Sequence, residues 1–410
     1  VINSHRHPER ARARRNMVLG LLFKAGKISR DTYEEAMESP LRTLRPGNAP
    51  VKVESFVELV KNRLASLGYV GTQSGLEVVT SLDPLVQTDA DAALRKLGEG
   101  AGKAFLILVS PITGDVRAFV APPVKKWDGA GGNVQTFLPV TLLPGLGKDK
   151  NNPPKYTLTS QVHVPDKKPG VITIRKAFHD SEPTLAQQLA HTVGAEPMAQ
   201  ALRKFGISAS VRGDQVVLDK KVSPLEVLRI YAAMALLGHS PPFRVAKNLP
   251  IQTSAKEKIS HADRQTDRAA IFLINYMLKD FSEVPKTERL EEQVAGVPSI
   301  YSSTDDEGKW FVAYRNDAAL LIRMPAAKLR PYALNSLAKK LFPPPNRLEI
   351  EQNKVPEGIV FRNICLDSGL LATSTCPRVV KEAFLKGTPP TEWCSMWHET
   401  KPMPSNAKKE

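Results

Sequence analysis

The amino-acid sequence predicts a mixed α/β fold of the α+β class, in which an antiparallel sheet packs against helices. Two strand hairpins support this prediction. The first runs from Ala104 to Ala121 with the turn PITGD, where Gly114 supplies a positive φ, and the second runs from Trp310 to Met324 with the turn RND. Between them, apolar residues recur at helical spacing in TLAQQLAHTVG, PMAQALRKFG, SPLEVLRIYAAMALLG and DRAAIFLINYMLKDF. Hairpins combined with a helical layer are typical of the α+β class.

The N-terminal part predicts two short helices, a linker, and then a helix, a strand and a helix. The segment HPERARARRNMVLGLLFKAG has apolar residues at helical spacing and ends at Gly26, a residue type that commonly stops a helix. Ser29 is placed to cap a second helix, which Pro40 ends. The Pro- and Gly-containing residues 41–53 indicate a linker. After them, ESFVELVKNRLASLG predicts a helix, GLEVVTSL a strand and DPLVQTDADAALRKLG a helix.

The charge of the chain favours an anionic neighbour. The formal charge is +15 and the sequence pI is about 9.6, which suits nucleic acid, anionic lipid or a cell-wall polymer. The densest basic run, Arg10, Arg12, Arg14 and Arg15, has no interleaved aromatic residues and no zinc-finger or RNP pattern, so we predict no nucleic-acid partner. A solvated helix face explains the run, and contact with an anionic membrane surface is the alternative.

The apolar stretches of the sequence, such as AFLILV and YAAMALLG, are too short to span a bilayer. No signal-peptide pattern opens the chain. Because the first residue is Val1 and not Met, we expect an excised or processed fragment of a longer parent protein.

Three cysteines, Cys365, Cys376 and Cys394, are grouped near the C-terminus and indicate a local role in the tail. One disulfide with one free thiol fits an oxidising compartment. A zinc site built from the three thiols and His398 is conceivable, but no Cys-x-x-Cys pair supports it. We therefore predict no metal site and no cofactor.

Two local motifs resemble catalytic signatures but stand in the wrong context. LGEGAGKAF lacks the first glycine of a phosphate-binding loop and precedes its strand, whereas such a loop follows one. Ser336-Leu-Ala-Lys339 matches the S-x-x-K pattern of serine acyl enzymes, but it lies in a late predicted helix after the final strands. We interpret both as structural.

The order of many segments resembles that of the class A penicillin-binding proteins. These segments include HPERARARRNMVL, KISRDTYEEAMESPL, ESFVELVKNRL, GLEVVTSLDPLVQ, VSPITGDVRAFV, KAFHDSEPTLAQQLAHTVG, VAGVPSIYSSTDDEGKWFVAY and NICLDSGLLATSTCP. The resemblance implies a serine acyltransferase fold like that of the β-lactamases, with a five-stranded antiparallel sheet sandwiched by helices. It also implies C-terminal helices of a glycosyltransferase-like domain at 1–45, a linker region at 46–82, a transpeptidase-like domain at 83–345 and a tail with the cysteines at 346–410.

The family's three catalytic motifs are degenerate in this sequence. In GGNVQTFLPV, the resemblance places Gln135 at the nucleophilic serine and Leu138 at the lysine of S-x-x-K. Glutamine cannot form an acyl ester, and leucine cannot accept a proton. The S-x-N motif falls on Ser181-Glu182-Pro183, which lacks the asparagine. The K-T-G motif falls on Val297-Pro298-Ser299, where the proline also removes a backbone N–H. We therefore predict no catalytic residue.

These losses predict a non-catalytic domain that binds or scaffolds the machinery of peptidoglycan synthesis. The resemblance implies peptidoglycan or its precursors and cell-wall synthesis proteins as partners. It also implies a periplasmic or extracytoplasmic location, in a parent anchored by an upstream transmembrane helix. Two alternatives stay open: a parent with glycosyltransferase activity upstream of Val1, and an active D,D-transpeptidase whose motifs are misaligned in this assignment.

Overall fold

The computed structural model describes most of the chain, and all structural statements below concern these residues. They are residues 8–38, 53–69, 76–96, 104–122, 133–147, 153–164, 170–179, 182, 184–239, 242–248, 266–279, 299–305, 308–324, 331–343 and 355–398.

The helices alternate with short strands along the described residues. The helices are α1 (Pro8–Lys24), α2 (Arg30–Glu38), α3 (Glu54–Ser66), α4 (Pro84–Lys96), α5 (Leu138–Thr141), α6 (Leu143–Leu146), α7 (Ile174–His179), α8 (Leu185–Val193), α9 (Ala195–Lys204), α10 (Pro224–Ala235), α11 (Thr266–Met277) and α12 (Pro331–Leu341). The strands are β1 (Phe105–Val109), β2 (Val116–Val120), β3 (Gln161–His163), β4 (Val171–Thr173), β5 (Ala209–Arg212), β6 (Gln215–Leu218), β7 (Ser299–Asp305), β8 (Gly308–Tyr314), β9 (Ala319–Met324), β10 (Ile359–Cys365) and β11 (Val379–Leu385).

A five-stranded antiparallel sheet forms the centre of the fold, with the strand order β2-β1-β9-β8-β7. The first hairpin, β1 and β2, joins the second, β8 and β9, through the β1–β9 pairing, in which Leu106 lies opposite Ile322. Strand β7 forms the far edge, next to β8. The sheet thus combines strands that are some two hundred residues apart in the sequence, and it confirms the predicted five-stranded arrangement.

Helices cover both faces of this sheet, which explains why its central strands are apolar throughout. Ile107 and Val109 of β1 belong to a large core that also contains α10 and α11. Leu106 and Leu108, which point to the other face, pack in a smaller core with α4 and α12. A strand buried on both faces has no polar alternation, because neither set of side chains meets water.

Most elements predicted from sequence are confirmed. Both hairpins form, Gly114 has a φ of 74°, and the four helical segments correspond to α8, α9, α10 and α11. Ser29 caps α2 by accepting a hydrogen bond from the Thr32 N–H at 3.2 Å, and Gly26 follows α1 with a positive φ. The segment LGEGAGKAF at 97–105, which resembles a phosphate-binding loop and is interpreted as structural, lies largely outside the described residues.

The predicted strand over GLEVVTSL is wrong for its described residues, 76–82. They make a single β-bridge, between Thr80 and Ala246. The segment runs beside the loop at 242–248, where the Val79 N–H donates to Asn248 Oδ1 at 2.9 Å and the Ser81 N–H donates to the Val245 carbonyl at 3.0 Å. Because its partner is a loop and not a strand, its alternating side chains do not become part of a sheet.

The C-terminal strands β10 and β11 form a separate two-stranded sheet that is attached to the large domain. The Arg175 guanidinium of α7 pairs with the Glu382 carboxylate of β11, and both groups are buried. The Tyr276 hydroxyl of α11 donates to the Lys381 carbonyl at 2.9 Å. These contacts fix the small sheet against the helices next to the central sheet.

At the other end of the chain, α1 and α2 form a helical hairpin in which the rings of Phe23 and Tyr33 stack at 5.0 Å. Its longer helix leaves Met17 and Leu21 exposed to solvent. None of the described helices combines the length and the apolar composition that crossing a membrane requires.

Candidate functional site

The segment that resembles the nucleophile-bearing helix begins with a tight capping arrangement. Residues Val134–Phe137 form a 3₁₀ turn that leads directly into α5. The Asn133 side-chain oxygen accepts the Thr136 N–H, and the Thr136 hydroxyl accepts the Asn133 N–H, both at 3.2 Å. This reciprocal pair is a capping box, which satisfies two backbone donors that a helix start leaves unpaired.

Thr136 is the hydroxyl closest in sequence to the position of the family's nucleophile, and the structure gives it a different role. Its side chain is buried and is engaged by Asn133 on both its backbone and side-chain atoms. It also lies one residue from Gln135 in this 3₁₀ turn, which corresponds to about 120° around the helix axis. Thr136 is therefore a capping residue in this structure.

Gln135 and Leu138 lie at the two positions where the resemblance expects a serine and a lysine. Gln135 is half-buried, and Leu138 is buried in the large apolar core. An amide offers no hydroxyl or thiol for acyl transfer, and an alkyl group neither takes nor gives a proton. The side chains at these two positions thus lack the chemistry that the resemblance expects there.

Two buried tyrosines hold this helix start in place. The Tyr301 hydroxyl of β7 donates to the Gln135 carbonyl, and the Tyr231 hydroxyl of α10 donates to the Thr136 carbonyl at 2.5 Å. The two rings lie 6.1 Å apart, and Phe178 packs 5.2 Å from Tyr301. Burial raises the pKa of both tyrosines well above the usual value, so each phenol stays protonated and donates at neutral pH. Neither tyrosine is a general base under these conditions.

Strand β7 carries the only described residue of the degenerate K-T-G position. Ser299 is buried, and its hydroxyl donates to the Asn275 carbonyl of α11 at 2.9 Å. Val297 and Pro298 lie outside the described residues. Because Tyr301 reaches the Gln135 carbonyl from the same strand, the structure places the strand of Ser299 next to the helix start at Gln135.

The predicted S-x-N position is described only at its middle residue. Ser181 and Pro183 lie outside the described residues. Glu182 is buried and accepts a hydrogen bond from the Thr184 hydroxyl at 3.2 Å. The side chain that the structure shows at this position is thus a carboxylate held at the start of α8.

Ser336 and Lys339, the S-x-x-K lookalike, lie on α12 and are exposed. The same helix packs Leu337 and Ala338 into the smaller core, whereas Leu138 belongs to the larger core on the opposite face of the sheet. The sheet therefore separates Ser336 and Lys339 from the helix start at Gln135.

Sequence reasoning missed the residues that shape the site from a distance. Tyr231, Tyr301 and Asn275 come from three different elements, and no local pattern marks them. The backbone of Lys279 forms an isolated antiparallel β-bridge with that of Ser299. Its desolvation, together with the charge of Arg315, lowers its pKa to about 7. The only sequence signal is a lysine directly after an otherwise apolar helical run, which is common at helix ends.

The three cysteines of the tail come together in space and are free in the structure. Their ligand atoms and those of His398 all lie within 4.8 Å of one another. Burial opposes ionisation of Cys394, but hydrogen bonds from Ser368, His398 and the Met396 backbone outweigh it and lower its pKa to about 6. Burial raises the pKa of Cys365. The predicted disulfide stays a prediction, with all three sulfurs near enough to compete for it.

Comparisons with known proteins agree with this geometry. The penicillin-binding protein transpeptidase domain family matches residues 147–316, and the family of the C-terminal domain of penicillin-binding protein 1A matches residues 355–399. Penicillin-binding protein 1B of Vibrio cholerae is 23% identical over 76% of this chain and 45% of its own length. Penicillin-binding protein 1A of Aquifex aeolicus is 31% identical over 25% of this chain and 15% of its own length. Together these matches support a class A penicillin-binding protein, with a transpeptidase domain at 147–316 and a penicillin-binding protein 1A C-terminal domain at 355–399.

The fold of this chain has a counterpart among solved structures. The crystal structure of penicillin-binding protein 1A from Haemophilus influenzae matches it with a TM-score of 0.58 and 16% identity, over 95% of this chain and 84% of the other. This likeness confirms the transpeptidase-type fold. The chain spans 45% of the length of its Vibrio cholerae relative. Gln135 and Leu138 precede the matched transpeptidase residues, so their assignment to the first motif stays a prediction.

Proposed function

We propose that this transpeptidase-like domain is catalytically degenerate and acts as a binding or scaffolding part of peptidoglycan synthesis. The observation that carries the proposal is the helix start at Gln135. Its side chains cannot perform acyl transfer, while its backbone is held by Tyr231 and Tyr301. The glutamine and leucine at the two proposed motif positions, on a helix start that is packed into the core, support this reading.

The proposal includes the expected surroundings of the domain. Peptidoglycan or its precursors and cell-wall synthesis proteins are its partners, at the extracytoplasmic or periplasmic side of the cytoplasmic membrane. A parent anchored by an upstream helix holds it there. The regions 1–45, 46–82, 83–345 and 346–410 are the glycosyltransferase-like end, the linker, the transpeptidase-like domain and the tail. The net charge of +15 supports an anionic polymer or surface as the neighbour.

Labelling with a fluorescent penicillin tests the loss of chemistry. A β-lactam traps an activated serine as a covalent ester, so we expect no labelled band after denaturing electrophoresis. An active class A penicillin-binding protein in the same gel controls the reagent, and a cooperative unfolding transition shows that the sample is folded.

The variants Ser181→Ala, Thr136→Ala and Ser336→Ala then locate any nucleophile that survives. A labelled band that disappears in one of them would identify that hydroxyl as reactive and overturn the proposal. Sedimentation with purified peptidoglycan tests the binding role separately. The chain is expected to cosediment and to be released by added salt, and failure to cosediment at low salt would remove the binding role.

A second proposal concerns the longer parent. Since the chain covers 45% of its Vibrio cholerae relative and its α1–α2 hairpin resembles the end of a glycosyltransferase domain, we propose that glycosyltransferase activity resides upstream of Val1. Polymerisation of lipid-linked disaccharide precursor by the parent, but not by residues 1–410, is the expected result. Its absence from the parent would restrict the protein to a binding role.

A further inference from the structure

The C-terminal tail assembles a compact group of three thiols and one imidazole from distant points of the sequence. Cys365 ends β10, Cys376 lies in the turn before β11, and Cys394 and His398 follow β11. Leu371 holds these segments together, because its backbone forms isolated β-bridges with both Ile364 and Trp393. The Cys365 N–H donates to the Leu370 carbonyl at 2.9 Å, and the Cys394 N–H donates to the Leu371 carbonyl at 2.8 Å.

The distances within this group fit a four-coordinate metal ion. The His398 Nε2 atom lies 3.5 Å from the Cys365 sulfur and 3.3 Å from the Cys394 sulfur. Tetrahedral zinc with Zn–S of about 2.3 Å and Zn–N of about 2.0–2.1 Å places its sulfur and nitrogen ligands about 3.6 Å apart. All four ligand atoms lie within 4.8 Å of one another, so a small movement of side chains brings them onto one centre.

The surroundings of His398 resemble the outer shell of a metal site. Its ring is buried, with 5% of the side chain exposed, and its Nδ1 atom lies 3.5 Å from Asp367 Oδ2. Asp367 in turn pairs with the Arg378 guanidinium. A ligating histidine commonly directs its second nitrogen to a carboxylate, which fixes the tautomer and the ring orientation. The nitrogen that faces the sulfurs is thus the one left to bind a metal.

A disulfide explains less of this arrangement. A bridge between two of the three cysteines leaves the third thiol unpaired and gives His398 no role near the sulfurs. A metal ion uses all four groups at once. Three soft sulfurs with one imidazole in a tetrahedral set favour zinc among the divalent ions. We propose that Cys365, Cys376, Cys394 and His398 form a structural zinc site in the C-terminal domain.

The role of this zinc is to fix the loops around a small sheet. The domain matched by its own family covers only residues 355–399, and units of about 40 residues usually need a disulfide, a metal or a neighbour to fold stably. The hairpin itself already has a neighbour in the large domain, through Arg175 and Tyr276. The loops that carry Cys376 and Cys394 are joined to the hairpin by backbone hydrogen bonds, and the proposed metal would also join them to each other.

Metal analysis of the purified chain tests the proposal directly. Protein made without chelators is expected to contain about one zinc per chain, and its three thiols should react with an alkylating reagent only after the metal is removed. Replacement of zinc by Co²⁺ is expected to give the intense visible bands of tetrahedral thiolate coordination. A metal-free protein that fails to take up zinc or Co²⁺, or one in which two thiols are joined in a disulfide, would overturn the proposal.

Variants assign the metal to these side chains. Cys376→Ser and His398→Ala should lose the zinc, whereas His398→Cys should keep it, since a fourth thiolate also suits zinc. The exposed His191→Ala is the matched control and should keep one zinc. Asp367→Asn should weaken zinc binding by about 10–100-fold, as expected for a residue that orients a ligand. Equal zinc in His398→Ala and His191→Ala would place the metal elsewhere and refute the assignment. If a variant does not fold, the zinc content and thiol protection of the unmodified chain still decide the question.

Discussion

The buried ion pair between Arg175 and Glu382 should be among the most important single interactions between the large domain and the C-terminal hairpin. The Arg175 Nη2 atom donates to Glu382 Oε1 at 3.0 Å, and its Nε atom donates to Oε2, so the pair is bidentate. The Glu382 side chain is fully buried, and that of Arg175 is 10% exposed. Arg175 also donates to the Met277 carbonyl at 3.3 Å. The Glu382 carboxylate also accepts the Ala383 N–H at 3.1 Å, and the charged partner that the structure gives each group is the other member of the pair.

Removing one member should be strongly destabilising, because the other charge stays buried without its partner. Glu382→Gln and Arg175→Met are each expected to lower the free energy of unfolding by about 3–5 kcal/mol, the range for a broken buried pair. The double variant Arg175→Met/Glu382→Leu should lose clearly less than the sum of the two, since it leaves no unpaired charge.

Urea unfolding measures these effects, with the exposed pair of Lys220 and Glu226 as the control. Lys220 lies 3.1 Å from Glu226 and its side chain is 58% exposed, so Lys220→Met should change the free energy of unfolding by no more than about 1 kcal/mol. If Arg175→Met costs no more than Lys220→Met, or if the two single changes are additive, the pair is not a desolvated unit and the argument fails.

Three further predictions concern pH, lipid and metal. The pKa of Lys279 is lowered from 10.5 to about 7 in the folded chain, so the unfolded chain binds more protons and stability should rise as the pH increases from 7 towards 10. Urea midpoints at pH 7 and pH 9 should show a smaller rise in Lys279→Met, and an unchanged rise would contradict the shift. The basic helix α1 should bind anionic vesicles in low salt and lose this binding in the triple variant Arg10→Ala/Arg14→Ala/Arg15→Ala; equal cosedimentation with neutral lipid would indicate a merely solvated face. Chelation should make residues 386–398 susceptible to limited proteolysis before the central sheet unfolds, and a digestion pattern unchanged by chelator would argue against a metal that fixes this loop.

The sequence predicted the elements whose signals are local. The hairpins β1–β2 and β8–β9 have apolar strands with short polar turns, and α10 has a Ser223 cap whose hydroxyl accepts the Glu226 N–H. These features arise within a few residues of each other. The GLEVVTSL prediction was wrong because alternation shows only that a strand can form, while its place in a sheet depends on a partner that the sequence does not reveal.

The C-terminal hairpin shows why other elements could not be predicted. The strand VVKEAFL has two charged residues at its centre. Its sequence pattern therefore does not predict a buried strand. Glu382 is buried there only because Arg175, 207 residues earlier, supplies its counter-charge. The cysteine group is equally non-local, since the bridges of Leu371 bring its members together. Spacing alone, without a Cys-x-x-Cys pair, does not show this convergence.

The contacts at the Gln135 helix start are compatible with the proposed loss of catalytic side chains. Its local structure depends on the Asn133–Thr136 capping box and on two tyrosine hydroxyls that bind backbone carbonyls. None of these contacts uses the side chain at 135. Leu138 adds apolar burial where the family places a charged lysine, and burying an alkyl group avoids the desolvation of an ammonium group. Reactive groups are often retained at some expense of stability, so glutamine and leucine at the proposed motif positions are compatible with an intact core. If this reasoning holds, Leu138→Lys should lower the free energy of unfolding, while Gln135→Ser should leave it nearly unchanged.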